Sequence, residues 1–214
     1  MELAILESEA TLASDSRQCR RMSKKTDDGA TVPGIQLPQA GEQVFVAEGL
    51  FHETACVLSG SWWGHAVSYK ETADIAVRHA LNDTSSLDFV ILPVCFLYRH
   101  YLELALKGLA HDAARALNKN PPKLDHDLMN RWRFILQAFP DQDASLAATT
   151  EHLDQWSQLD RDSFSFRYPT DKNGDPSLSF SIRHLNIRNI ADLVERIDNV
   201  LSGMAGYLED TIDG

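Results

Sequence analysis

The residues best able to do chemistry crowd into one stretch, Tyr98-Arg99-His100-Tyr101-Leu102-Glu103-Leu104-Ala105-Leu106-Lys107. Arg99, Glu103 and Lys107 step by four, so on a helix they share one face. Glu103 ahead of Lys107 is the favourable order, worth about 0.2–0.5 kcal/mol when exposed. His100, Glu103, Lys107 and His111 also fall along one stripe. Such a polar stripe, beside the apolar one of Leu102, Ala105, Leu106 and Leu109, either faces water or borders a cleft. In the second case Arg99, Glu103 and Lys107 would hold a partner or a ligand phosphate. Two further residues join them. His126 lies where Lys123-Leu124-Asp125-His126-Asp127-Leu128 opens a helix, with Asp125 placed to cap it and Asp127 near the positive end of its dipole. Arg167 alternates with Phe166 and Tyr168, so it either faces solvent or reaches toward the rest of the fold. If this set is catalytic, histidine is the acid/base and arginine the phosphate clamp. The alternative is structural, with the same residues tying neighbouring elements together through buried, paired hydrogen bonds. We favour the structural arrangement.

Other chemistries find little support. Di-iron bundles need Glu-x-x-His on two helices; here the motif runs backwards, as His100-x-x-Glu103, without a second copy. HExxH is missing, and the histidines are scattered. A calcium loop starting at Asp171 would want Gly at its sixth place and Glu at its twelfth, where the chain has Pro176 and Ile182. No GxSxG, GxGxxG or Walker A sequence occurs, which removes the usual nucleophile elbow and phosphate-cradling loops. Cys56 and Cys95 sit among apolar neighbours and read as core thiols. No metal and no cofactor is implied.

These side chains must be positioned by helices. From Gln43, the apolar residues Val44, Leu50, Ala55, Cys56 and Leu58 recur at helical steps up to Ser59-Gly60. Tyr69 to Leu81 carries Ala73, Ala76, Val77 and Ala80 on one stripe, and Asn82-Asp83-Thr84 ends it. Leu87 to Leu117 is the longest helical region, with Pro93 inside it predicting a late start or a kink. Leu124 to Phe139 is a shorter amphipathic helix, and Asp143 to Leu159 another. The period then changes to two: Phe164, Phe166 and Tyr168 alternate with polar residues, as do Leu178, Phe180 and Ile182. An Asn173-Gly174 turn lies between them, which predicts a β-hairpin. Ile187 to Tyr207 is the final helix. The expected fold is mainly α, a bundle of five to six helices with a small hairpin before the last. Residues 1–43 read as an N-terminal arm or linker, partly disordered, and 44–214 as the bundle.

The net charge is −11, with a pI near 5.1. This argues against a broad basic footprint for nucleic acid. The cluster Arg17, Arg20, Arg21, Lys24 and Lys25 reads as a solvated run within an arm that is still net acidic. The apolar run Phe89 to Leu97 is far shorter than the roughly 20 residues of a membrane span. Three cysteines without a CxxC fit reduced thiols. The expectation is a soluble, cytoplasmic protein with no membrane partner.

Taken together, several of these pieces resemble a known family. Tyr69-x-x-x-Ala73 leads into Pro93-x-x-Phe96-x-x-Arg99-His100-x-x-Glu103-Leu104-x-Leu106-Lys107. His126-Asp127-Leu128 follows with Trp132 close behind, then Phe166-Arg167-Tyr168-Pro169-x-Asp171 ahead of Gly174. From Tyr69 to Tyr207 the chain resembles a group of bacterial proteins with HEPN-like helical bundles. The resemblance implies membership of a class that includes metal-independent ribonucleases of defence and toxin–antitoxin systems, and inactive members that bind nucleotides or proteins. The nuclease motif of that class is Arg followed by His after four to six residues. This chain lacks it: Arg78, Arg99 and Arg183 each have His immediately next to them. What the resemblance implies is therefore a binding module acting through a protein partner or as a homodimer. RNA is an unsupported partner, and an atypical ribonuclease built on the Arg99/His100 helix is the alternative.

Overall fold

In a computed structural model of the chain, residues 38–46, 49–56, 60–141, 143–178 and 183–213 are described. The chain divides into two compact units, Met1–Ala55 and Cys56–Gly214. The arm expected at residues 1–43 lies mostly outside the described residues.

In the first unit the described residues are coil with one 3-10 turn, Phe51–Glu53. The helix expected from Gln43 is not formed there. Val44 is 86% and Phe45 95% exposed. Side chains this exposed give a short helix none of the packing that stabilises it in water.

The second unit is a bundle of five helices. α1 runs Trp62–Asn82, and Ser61 caps it by accepting a hydrogen bond from the Gly64 amide at 2.9 Å. It starts earlier than the expected Tyr69, with Trp62-Trp63-Gly64 in its first turn. Asp83 ends α1 and caps the 3-10 turn Thr84–Ser86, which leads into α2, Leu87–Ala116. α2 is a single element through Pro93. α3 is Leu128–Ile135, continued by the 3-10 turn Leu136–Ala138. Its cap is Asp127, which accepts from the Asn130 amide at 2.9 Å, and not Asp125. α4 spans Ala144–Leu159 behind an Asp143 cap, and α5 spans Ile187–Asp213.

α2 is the central helix, packed by α1, α5 and α3, with α4 against α3 and α5. Ala66, Ala73 and Ala80 of α1 are all buried at seven-residue spacing, which keeps a narrow seam toward α2. Val194, Ile197, Leu201, Met204 and Leu208 of α5 cover another side, and Trp132 and Leu153 complete the core. The close approach of α1 to α2 shows at Gly108, where an added Cβ would sit 3.1 Å from Trp62 Cβ. Thr84–Ala116 contains an 18-residue window of mean hydropathy 1.5, long and apolar enough to cross a membrane by those measures, and 56% of that window is buried in the bundle. The uninterrupted run Phe89–Leu97 therefore understates how apolar this helix is.

Before α5, the hairpin reduces among the described residues to one antiparallel bridge, Thr170 with Pro176. Its turn is built as the sequence suggests: Asp171 Oδ1 accepts from the amides of Asn173 and Asp175, and Gly174 takes φ +87°. The first expected strand, however, is a turn. Asp160 Oδ1 accepts from the amides of Phe164 at 2.6 Å and Ser165 at 2.8 Å, and the Phe164 carbonyl accepts from Arg167 and Tyr168. Local capture by an Asp side chain competes with a ladder and wins here. Most of the second strand, residues 179–182, lies outside the described residues.

Candidate functional site

Every residue from Tyr98 to Leu106 is buried except half-buried His100, so Arg99 and Glu103 do not face water, while Lys107 and His111 are half-buried. Arg99 is wholly buried. Its Nε donates to the Asp160 carbonyl at 3.1 Å. Its Nη2 donates to the carbonyls of His126 at 2.7 Å and Arg161 at 3.3 Å, and its Nη1 to Glu103 Oε2 at 3.3 Å. Three of the four acceptors are main-chain oxygens, drawn from the loop ahead of α3 and the segment after α4. A planar guanidinium with donors in a fixed fork suits this task. Burial pulls its pKa below the ordinary value, against the pull of Glu103 and Asp160.

Glu103 is the counter-charge. Its Oε1 accepts from Lys107 Nζ at 2.6 Å, and both carboxylate oxygens lie 3.0 Å from His126 Nδ1. Burial works against ionisation, but the bonds from Lys107 and His126 outweigh it and hold the carboxyl below its usual range. An ionised carboxylate only accepts, so His126 Nδ1 carries the proton and leaves Nε2 as the other ring nitrogen. The His126 side chain is 55% exposed.

His100 and Arg167 belong to a separate, aromatic arrangement. His100 meets Tyr69 edge-on at 4.4 Å and stacks on Phe96 at 5.8 Å. Burial, reinforced by Lys107, Arg167 and Arg99 and opposed by Glu103, pulls its pKa down and favours the neutral ring. Arg167 is exposed, with its guanidinium 5.6 Å from the rings of both Phe96 and Tyr168. The six residues picked from the sequence are thus divided: Arg99, Glu103, Lys107 and His126 form one ion-pair network, while His100 and Arg167 sit on Phe96.

Two features escape the sequence reading. Arg131 is buried on α3 and donates to the carbonyls of Asp125 at 2.7 Å and Lys123 at 3.3 Å, and to the Asp125 carboxylate at 3.0 Å. With Arg99 it supplies donors to a loop that would otherwise leave carbonyls unpaired near the core. The second feature joins α1, α2 and α5. Lys70 Nζ lies 3.0 Å from Asp74, 2.6 Å from Glu195 and 3.8 Å from Asp198. Tyr98 donates to Asp74 at 2.6 Å and Tyr101 to Asp198 at 2.5 Å. Burial and the neighbouring carboxylates raise both phenol pKa values, and the carboxylate bonds outweigh burial to raise that of Lys70. The only signal in the sequence is the Lys70–Asp74 spacing of four.

Among the described residues, no group of three or more His, Cys, Asp or Glu side chains is placed to hold a metal ion. The surface carries exposed Phe89, Leu92 and Tyr168, with a depression of about 330 Å³ between Leu92 and the Ser165–Pro169 turn. A larger groove, about 830 Å³, separates the start of α1 from the C-terminal parts of α2 and α5. There Trp62 stacks on His111 at 6.0 Å. Compared with protein-family models, with curated proteins and with solved structures, the chain matches none.

Proposed function

We propose that the chain is a HEPN-like binding module that acts through a protein partner or as a homodimer, in a bacterial defence or toxin–antitoxin setting. The family and the setting rest on the motif resemblance. The observation that carries the binding role is the burial of Arg99. The side chain that would clamp a scissile phosphate is closed off from solvent and engaged by main-chain carbonyls and Glu103. Further support comes from the net charge of −11 and from Phe89 and Leu92, one turn apart on α2 and both exposed. Sedimentation velocity over a wide concentration range tests the homodimer. A dimer that Leu92→Asp dissociates supports the reading; a monomer at every concentration leaves only the hetero-partner form.

An atypical metal-independent ribonuclease is the second reading, favoured by one specific feature. His126 is half-exposed and held by Glu103 at 3.0 Å, the pairing of a general base with an orienting carboxylate. RNA cleavage in EDTA that disappears in His126→Ala would establish it.

A further inference from the structure

A cavity of about 140 Å³ lies between α2, α4 and the first turns of α5. Buried Cys95 marks its inner end, and exposed Gln155 and Asn189 mark its solvent side. Trp156, Leu159, Ile190 and Leu193 supply its walls. We propose that this cavity is a binding site for a small uncharged molecule built on a single aromatic ring.

Size, lining and opening all point to that class. An enclosed apolar cavity of about 150 Å³ has room for benzene; this one is of similar volume but opens to solvent past Gln155 and Asn189. Among the described residues, no carboxylate, ammonium or guanidinium lines it, so a charged ligand finds no fixed counter-charge there to offset its desolvation. The Cys95 thiol adds none, since burial pushes its pKa up to about 12. Aliphatic side chains and the Trp156 indole offer dispersion contacts and a ring partner. The amides of Gln155 and Asn189 and the imidazole of His152 supply donors and acceptors for one hydroxyl or N–H group. Mostly apolar walls with a few convergent polar groups are what small-molecule sites share. Cys95 lines the inner end, so a Met there is expected to project its terminal carbons into the space.

The test uses the full chain and four probes: toluene and phenol as neutral rings, benzoate and benzylamine as their charged counterparts. Tryptophan fluorescence and thermal shift report binding. Toluene and phenol are expected to bind with dissociation constants on the order of 1 mM or tighter, with the charged pair at least about tenfold weaker, since tenfold is a small share of an unpaired charge's burial cost. Trp156→Phe is expected to remove most of the fluorescence response while the thermal shift by phenol persists. Cys95→Met is expected to abolish binding with an unchanged or raised melting temperature, as filling a real void does. Failure of both neutral probes to bind the wild-type chain overturns the proposal. So does equal binding of benzoate, or a Cys95→Met protein that still binds. A melting temperature lowered by Cys95→Met would show the space already filled, and overturns it too.

Discussion

Replacing Glu103 by Gln keeps the side chain's size and one acceptor oxygen but removes the charge that Arg99, Lys107 and His126 share. It also turns an amide NH2 toward donors, because both carboxylate oxygens face donors in the native protein. Removing one partner of a buried pair costs about 3–5 kcal/mol. Two features pull the figure to the lower end. Half-exposed His126 and the edge of Lys107 can turn toward water, and Arg99 keeps its three carbonyls. The expected loss is about 3 kcal/mol, or roughly 6–12 °C in Tm for a domain of this size. The pH dependence follows from the lowered pKa of Glu103. Its contribution is present in full above the ordinary carboxyl value of 4.5 and is lost as pH falls through the lower folded value. Urea denaturation of wild type and Glu103→Gln at pH 7 and at a series of acid pH values is the assay. The two curves should converge as pH drops below about 4.5, since protonation makes the wild-type group neutral as well. A difference under about 0.5 kcal/mol at pH 7, the size of an ordinary surface substitution, would refute the reasoning. A gap that persists into acid would do the same.

Arg99→Lys should cost at least about 2 kcal/mol, since one ammonium cannot reach the carbonyls of Asp160, His126 and Arg161 together. Hydrogen exchange should then quicken at the Phe164 and Ser165 amides, and unchanged protection there would count against the link. The raised pKa values of Lys70, Tyr98 and Tyr101 mean that their stabilisation is complete below about pH 10 and fades as pH rises further. Absorbance at 295 nm should show these two phenols ionising only as circular dichroism is lost. Cys56 is exposed, against its expectation as a core thiol, so iodoacetamide at pH 8 should label it and spare buried Cys95 in the native protein, and mass spectrometry reads both.

The helices of the second unit are legible in the sequence because each buries a stripe with a 3.6-residue period, from the alanines of α1 to Val194, Ile197, Leu201 and Leu208 of α5. Legibility fails where the pattern is local and the outcome is not. Val44 and Leu50 belong to an apolar set with helical spacing but are exposed. Phe164 to Tyr168 alternates like a strand, yet the Asp160 carboxylate gathers the amides at its start. In the candidate site, the four-residue steps from Arg99 to Lys107 foretell the ion pairs, but not that other elements enclose them. That enclosure decides the balance between an open phosphate clamp and an internal tie. Lys70 and Arg131 were missed for a related reason: beyond the nearby carboxylates of Asp74 and Asp125, their partners lie on a distant helix or are peptide oxygens, which no side-chain motif records.

Because Arg99 holds the two loops by their peptide oxygens, its grip on them is indifferent to which amino acids occupy Arg161 or, apart from the Glu103 bond, His126. Apart from Asp125, Asp127 and Asp160, whose carboxylates hold bonds of their own, the loops can therefore be recoded by substitution while their path stays anchored to the central helix. A one-residue deletion in the same place would carry the gripped oxygens out of register. The outer surface of these loops is open to change in chemistry but closed to change in length.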